Sequence, residues 1–359
     1  MQKTQCQTVV ETAGETAAEI REFCSNNPKM RERDIANMLG IKEAQLVAAH
    51  VGHSSLRLNC DMNLIFSGLA EVGEVLALTR NESAVHEKTG IYDAYYAGKF
   101  ASMVSNEQID LRLFPKHFAH AYHVQKQTDH GLKQSIQFFD AHGDAIHKIH
   151  TKPKTDLNAW SQLIEKLHHS DQSDLIEIEP ESKKETLENP SSVAGQLKDR
   201  WSKMTDTHQF TMMIKNLNLS RHQAVNTIGE DYAWRIDPSS IEALMSLSVN
   251  EKLPIMCFIG NRGCIQIHSG PIQTVKRMGH WLNILDEGFH MHLRTDQIEQ
   301  VWGVRKPTDK GHVTSVEAYD GSGNLVIQFF GKRIEGQDER TSWRFIVENL
   351  PRIPNSQAA

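Results

Sequence analysis

The chain has 359 residues, of which 39% are hydrophobic and 23% are charged. This length exceeds what one hydrophobic core usually carries, so it excludes a single small module and predicts two domains or one unit built from two halves. The 39 Lys and Arg residues against 45 Asp and Glu give a formal net charge of −6, which excludes a general basic surface for a polyanion.

Targeting and redox signals predict a cytoplasmic protein without membrane insertion. The amino-terminal segment contains acidic residues, and nowhere does the chain have the long apolar run that a membrane-spanning helix needs. The five cysteines are odd in number and form no CxxC pair, which predicts reduced thiols instead of a disulfide framework. The 19 histidines are the unusual feature, and they raise the question of iron, haem or another metal.

Residues 31–50 predict two short helices around a Leu-Gly-Ile turn, a pattern close to a helix-turn-helix. A DNA-binding regulator is therefore the alternative function. Against it, the second helix of the pair has little positive charge, and a similar helix pair recurs in the second half. Two packed helices without contact to nucleic acid are the favoured interpretation.

The middle of the chain contains a helix and then a linker. Apolar residues at helical spacing over Leu157 to His169 predict a helix that packs on the first half. The following segment is acidic and contains proline and serine, which is typical of a solvated linker. We therefore predict a first repeat at 1–169, an acidic linker at 170–198 and a second repeat at 199–359.

The second half begins with helices and continues with strands. Phe210, Met213, Ile214 and Leu217 form one helical stripe, and Ser220 is placed to cap a second helix. From residue 255 onward, short alternating or apolar runs broken by Gly and Asn predict an antiparallel meander. Helices followed by a large antiparallel sheet, in each of two halves, define an α+β fold.

The two halves are related by an internal duplication. When residues 81–152 are compared with residues 261–332, thirteen of 72 positions are identical, whereas about four would match by chance. The chemistry nevertheless differs at some positions, which suggests one functional site in the second half; neutral drift between the copies is the alternative. The differing pairs are His208 against Met30, Arg221 against Glu43, Gln328 against Lys148, and Arg333 against Pro153.

His208 is the candidate metal ligand. It lies two residues after Asp206, a predicted helix N-cap, with Gln209 as its capping-box partner, so His208 falls in the first helical turn. At 100° per residue it is about 200° from Phe210 and points away from the core stripe, towards a cleft. A helix N-terminus favours the neutral imidazole, which can bind a metal centre; a solvated helix histidine is the alternative.

Several long motifs occur along the chain: LTRNESAVHEKTGIYD, IDLRLFP, WSKMTDTHQF, NLSRHQA, FIGNRGCIQI, WLNI, VRKPTDKGHVTSVEAYD and FGKRIEGQ. They resemble the cytoplasmic haemin-degrading and haemin-transport proteins of the HemS/ChuS type. The resemblance covers nearly the whole chain, in order. It implies a duplicated α+β protein that binds one haem b in a cleft at the second half.

The resemblance also implies roles for individual residues. The axial haem ligand falls on His208, and the distal arginine, contributed by the first half, falls on Arg112 with Phe114 beside it. His208 and Arg112 would carry any catalysis. Phe330 stands where relatives have a tyrosine, which removes one polar contact. The groups around the propionates and haem edge fall on Arg221, Lys306, Gln328 and Arg333.

The implied function is haem uptake and iron acquisition, by trafficking haem or by supporting its oxidative degradation. The chain has no GxGxxG, P-loop or flavin fingerprint, so electrons would come from an external reductant. A haem oxygenase or reductase and a haem importer are the expected partners.

Two other histidine groups are weaker metal candidates. His117, His120 and His123 are three residues apart and would share a face only in a helix. His290 and His292 point to the same side of a predicted strand, but the sequence shows no third ligand nearby, so exposed strand histidines are expected.

Overall fold

The structure is a computed structural model, and it describes residues 16–129, 131–174, 176–181, 186–333 and 341–353. Within those ranges the chain forms ten α-helices and two nine-stranded antiparallel sheets. Each half begins with helices and continues with a meander of strands, so the predicted duplicated α+β fold is confirmed.

The first half contributes five helices and nine strands. The helices are α1 (Ala17–Asn26), α2 (Glu32–Leu39), α3 (Glu43–Ala48), α4 (Met62–Val72) and α5 (Leu157–Lys166). The strands are β1 (Ser55–Leu58), β2 (Gly73–Arg80), β3 (Ala84–Gly90), β4 (Tyr95–Tyr96), β5 (Ser102–Ser105), β6 (Asp110–Leu113), β7 (His120–Thr128), β8 (Gly131–Phe139) and β9 (Ala145–Thr155).

The second half repeats this order. Its helices are α6 (Ala194–Ser202), α7 (Gln209–Asn216), α8 (Arg221–Thr227), α9 (Ser240–Asn250) and α10 (Thr341–Glu348). Its strands are β10 (Ala233–Ile236), β11 (Ile255–Gly260), β12 (Cys264–Gly270), β13 (Val275–Met278), β14 (Trp281–Asp286), β15 (Phe289–Arg294), β16 (Gln300–Thr308), β17 (Gly311–Tyr319) and β18 (Leu325–Gly331).

The two halves exchange strands. Sheet 1 has the order β1-β7-β8-β9-β2-β3-β15-β14-β13, and sheet 2 has the order β10-β16-β17-β18-β11-β12-β6-β5-β4. Each sheet therefore combines six strands of one half with three of the other. The junctions are β3 with β15 in sheet 1 and β12 with β6 in sheet 2.

Two equivalent asparagines connect the halves at the hairpin turns after β2 and β11. The Asn81 side chain donates to the carbonyls of Gly260 and Val326, at 3.2 and 2.8 Å. The Asn261 side chain donates to the equivalent carbonyls of the other half, those of Arg80 and Ile146, at 2.9 and 2.8 Å. These reciprocal bonds satisfy buried backbone acceptors, which explains why asparagine stands at both positions.

The core lies between the two sheets and is closed by helices. Apolar side chains of both sheets pack together with α4 and α5 in one cluster and with α9 and α10 in another. The opposite, outer face of sheet 1 carries α1, α2 and α3, and that of sheet 2 carries α6, α7 and α8. These outer helices pack at the β1-β7-β8 and β10-β16-β17 ends, so none of the described helices covers the outer face near either strand junction.

Local signals explain the predicted helices. The pair α2 and α3 turns at Gly40, whose φ of 66° is easily reached only by glycine. Ser220 caps α8, and Gln223 completes the capping box. The helix predicted from Leu157 is α5, with Trp160 among its buried residues. No helix in the described ranges is long and apolar enough to cross a membrane.

The described part of the predicted linker contacts both repeats. Ile176 and Ile178 pack against the cluster formed by α1, α2 and α3, and Glu181 forms an ion pair with Arg262 at 2.7 Å. Leu187 packs against the helices of the second half. These described residues of the linker thus lie along the surface of the protein.

Candidate functional site

His208 lies directly before α7, in a loop that Asp206 organises. The Asp206 carboxylate accepts hydrogen bonds from the His208 backbone N–H and from its ring Nδ1, both at 2.7 Å. The predicted capping box is wrong in detail. The side chain of Gln209 bonds to Thr205, at 3.0 and 3.1 Å, because Asp206 caps the preceding turn and α7 starts only at Gln209.

The contact with Asp206 fixes one ring nitrogen of His208 and leaves the other exposed. A carboxylate only accepts, so Nδ1 carries a proton, and in the neutral ring Nε2 then has the lone pair, the arrangement found behind many metal-bound histidines. The His208 side chain is 93% exposed. The hydrogen bond from the His208 backbone lowers the pKa of Asp206, and the nearby charge of Arg333 lowers it further. Arg333 is therefore close enough to act on Asp206 through its charge.

A buried ionic cluster is centred on Glu317 of β17, which the sequence analysis did not select. Its carboxylate is completely buried and accepts six hydrogen bonds between 2.6 and 3.0 Å. The donors are Arg221 (two bonds), Lys306, Ser315, Tyr319 and Gln328. Three of the predicted ligand-binding residues thus converge on one acid.

The Glu317 cluster has a net charge of +1, because two cations share one carboxylate. Burial opposes ionisation of Glu317, but Arg221 and Lys306 outweigh it and hold the pKa of Glu317 well below its usual range. Burial lowers the pKa of Lys306 to about 8, although Glu317 works against that shift. The Phe210 ring lies 4.9 Å from the Arg221 guanidinium and 4.8 Å from the Lys306 ammonium. Phe210 of α7 thus connects the His208 loop to the cluster.

A band of apolar side chains continues from the cluster across the outer face of sheet 2. Register partners on antiparallel strands point to the same face. Gln328 is the partner of Phe258, and Phe330 is the partner of Met256. Phe258, Met256 and Phe330 are half-buried, so part of each ring or side chain is open to a ligand. The rings of Phe258 and Phe330 contact each other, with centroids 5.0 Å apart.

Arg112 and Phe114 lie at the far side of this band. The row from Gln328 passes through Phe258 and Ile267 to Asp110 of β6, which is three strand spacings, or about 14 Å. The Arg112 side chain is 38% exposed and forms an ion pair with Asp110. Arg112 also donates to the carbonyl of Leu111 at 3.1 Å. The first-half residues reach this face because β6 belongs to sheet 2.

The predicted site residues form three groups that differ in burial. His208 and Arg333 are exposed on the α7 side, and Phe330, Arg112 and Phe114 are half-buried along the open face. Arg221, Lys306 and Gln328 lie below them around Glu317, and the Lys306 side chain is only 4% exposed. A lone acid within an apolar strand, as in TSVEAYD, is the signal that could have identified Glu317.

The other histidines are accounted for differently. His120 and His123 lie on strand β7 and His117 lies in a turn before it, so they share no helical face, as predicted. His222 is half-buried, and its Nε2 contacts the Gln300 side chain at 2.9 Å. His290 and His292 lie on strand β15, where His290 is exposed and His292 is half-buried. Strand exchange brings the Glu87 carboxylate beside them, a neighbour that the sequence did not show.

Together these features define a duplicated α+β protein in which the outer face of sheet 2 is accessible to a ligand, apolar, locally basic and bordered by an exposed imidazole. The family described as "Haemin-degrading HemS.ChuX domain" matches residues 40–167 and 218–350. The chain belongs to this family.

Full-length relatives show the same similarity. The chain is 38% identical to "Hemin transport protein HemS" of Yersinia enterocolitica over 336 residues, which cover 93% of this chain and 96% of the relative. The solved structure of holo-PhuS, a heme-binding protein from Pseudomonas aeruginosa, superposes with a TM-score of 0.91 at 35% identity, covering 94% and 100% of the two chains. ChuS, an E. coli heme oxygenase, superposes with a TM-score of 0.84 at 35% identity, covering 92% and 98%.

Proposed function

We propose that the protein binds one haem on the outer face of sheet 2 and handles it in iron acquisition. The observation that carries this proposal is the exposed His208 ring, whose Nδ1 is held by Asp206 while Nε2 is free, at the edge of an apolar and locally basic face. Membership of the haemin-degrading family supports the ligand class, as do relatives described as transporting, binding or degrading heme.

The residues of this face fit the chemistry of haem. A flat apolar macrocycle with two carboxylates needs one nitrogen ligand, apolar walls and cations at its edge. His208 would provide the nitrogen. Phe258, Phe330 and Phe114 would provide the walls. Arg333 is exposed and close enough to act on Asp206 through its charge. It can pair with a propionate, since a guanidinium fork donates two hydrogen bonds at once.

The cations of the Glu317 cluster have a different role from Arg333 in this proposal. Arg221 and Lys306 are already bonded to Glu317, so a propionate would meet the single excess positive charge of the cluster instead of two free cations. A field of this kind favours an anionic ligand without leaving a buried charge unpaired in the ligand-free protein.

Arg112 is proposed as the residue on the opposite side of the haem. Its ion pair with Asp110 keeps the guanidinium on the outer face, and its 38% exposure leaves room for contact with a ligand. When bound, haem supplies the iron that can support oxidative opening of the ring, and Arg112 and His208 would be the groups that act on it. The electron donor would be an external reductant.

Two outcomes of haem binding remain to be distinguished by experiment: transfer to a partner and degradation. If the protein is an enzyme, the Soret band of its bound haem should disappear when an electron donor and dioxygen are added, even with catalase present. A carrier would keep that band and pass haem to an oxygenase. We propose a cytoplasmic location, next to a haem importer. In support, Cys24, Cys60, Cys257 and Cys264, the cysteines within the described ranges, are all free thiols.

The direct test is a haem titration of His208→Ala, followed by absorption spectroscopy. We expect weaker binding and a shifted Soret band. His53→Ala, which removes another exposed histidine, should behave like wild type. Asp206→Asn should weaken haem binding less than His208→Ala, because it removes only the carboxylate behind the ligand. Unchanged affinity and an unchanged Soret position in His208→Ala would refute the axial assignment. His222 is an unsuitable substitute, since its Nε2 contacts Gln300.

A DNA-binding function is not favoured by the structure. Five of the six residues of α3, which would be the recognition helix, are buried. A helix that reads a DNA groove must present its side chains to the bases. A duplex whose mobility is unchanged by the protein at low salt would exclude even nonspecific binding.

A further inference from the structure

The outer face of sheet 1 contains a group of three side chains at the place where sheet 2 carries Asp110 and Arg112. With the offset of 180 residues between the halves, His290 and His292 of β15 are the counterparts of Asp110 and Arg112. Glu87 of β3 is the register partner of His290, so the two side chains point to the same face. The duplication therefore places two imidazoles and a carboxylate where the other sheet has an ion pair.

The distances within this group suit a metal ion. One ligand atom from each of Glu87, His290 and His292 lies within 4.8 Å of the others. His290 Nδ1 is 3.6 Å from the Glu87 carboxylate. Bonds of 2.0 to 2.1 Å to a tetrahedral ion imply ligand atoms about 3.4 Å apart. Side-chain rotations that move the ligand atoms by about 1 Å would therefore complete the site.

Asn283 holds the His292 ring in the tautomer that a metal needs. The Asn283 amide nitrogen donates to the carbonyls of Lys276 and Trp281, at 3.0 and 3.3 Å, so its oxygen faces His292. That oxygen lies 2.7 Å from His292 Nδ1 and can only accept. Nδ1 therefore carries the proton, and Nε2 has a free lone pair. Asn283 is buried, which keeps this arrangement rigid.

We propose that Glu87, His290 and His292 bind one divalent transition-metal ion, such as Zn²⁺, on the outer face of sheet 1. Two imidazoles with one carboxylate favour such ions, whereas Mg²⁺ and Ca²⁺ prefer oxygen ligands throughout. The His290 side chain is 47% exposed, so water or a second ligand can complete the coordination. Because Glu87 belongs to the first half and the histidines to the second, the ion would connect the halves at the β3 and β15 junction. Asn283 is a positioning residue in this site.

The test is an isothermal titration of Zn²⁺ alone into the untagged, haem-free full-length protein. We expect one tight site in wild type. His292→Ala and Glu87→Gln should each weaken it by more than tenfold, and Asn283→Ala by about 10-fold to 100-fold, the usual effect of removing an outer hydrogen-bond partner. His280→Ala removes an exposed histidine directly before β14, and this variant should bind Zn²⁺ like wild type.

Two further measurements keep the outcome clear. Circular dichroism and haem titration of His292→Ala should match wild type, which would show that the variant is folded and that the metal site is separate from the haem face. His208→Ala should retain the Zn²⁺ site. Wild-type Zn²⁺ affinity in both His292→Ala and Glu87→Gln would overturn the proposal, and so would loss of the tight site in His208→Ala.

Discussion

Replacing Glu317 by Gln should strongly destabilise the second half. The substitution keeps the size of the side chain but removes the charge that balances Arg221 and Lys306. It also turns one acceptor oxygen into an amide that donates, so some of the six donors around Glu317 lose their partner. Glu317 is completely buried, so water cannot replace the lost contacts.

The size of the effect follows from the burial of these charges. Removing one partner of a buried ion pair costs about 3 to 5 kcal/mol, because the remaining charge stays out of water without compensation. Lys306 limits this cost. Its pKa is already about 8, so it can release its proton when Glu317 no longer attracts it, whereas Arg221 stays charged. We therefore expect the free energy of unfolding to fall by about 4 kcal/mol.

Urea unfolding at pH 7, followed by tryptophan fluorescence, measures this change. Trp302 lies in the apolar cluster beneath α6, α7 and α8 and is expected to report on the region. Asp231→Asn is the matched control, because the Lys198 to Asp231 ion pair spans 3.1 Å between exposed side chains. Its effect should be within about 0.5 kcal/mol. A free energy of unfolding for Glu317→Gln within about 1 kcal/mol of the wild-type value would refute the argument that the cluster supports the fold.

Two further predictions concern pH and packing. Burial lowers the pKa of three histidines in the folded state: His147 to about 3, His150 to about 4 and His268 to about 3. The unfolded chain takes up protons near pH 6.5 and the folded chain does not, so stability is lost as the pH falls from 6.5 towards 4. Each group should cost about 2 kcal/mol at pH 5 relative to pH 7; equal urea midpoints at the two pH values would contradict this. Gly303→Ala should lower stability by about 1 to 3 kcal/mol in thermal denaturation, because a Cβ atom would lie 2.4 Å from the Trp234 ring. Gly321→Ala, where a Cβ atom meets nothing within 4 Å, should have the stability of wild type; the same loss in both would show that backbone effects, not packing, dominate.

The predictions that succeeded depend on residues close together in the sequence. Ser220 and Gln223 are three residues apart, and their capping box sets the start of α8. The same is true of the Gly40 turn between α2 and α3. The helix boundary at His208 failed by a residue or two, because Asp206 had two backbone turns that it could cap and the sequence does not decide between them.

The neighbours of the site residues could not be predicted from local sequence patterns, because they come from distant parts of the chain. Glu317 accepts hydrogen bonds from residues of α8, β16 and β18, three elements that are separated in the sequence of the second half. The neighbour of His290 is Glu87, about two hundred residues earlier, and it became visible only when β3 and β15 were found to pair. Resemblance to a family predicted a place for Arg112 at the ligand site of the second half, and strand exchange gives a physical route, because it brings β6 into sheet 2.

The amino-acid sequence by itself determined the duplicated α+β architecture, the helix pairs and the divergence of chemistry between the halves. Periodicity, caps and repeated turns specify these features through interactions within a few residues. The tertiary structure alone decided which strands join which sheet, and therefore which side chains share a face. Register between distant strands is set by packing of the whole core, so the Glu317 cluster and the group of Glu87, His290 and His292 exist only in the folded chain.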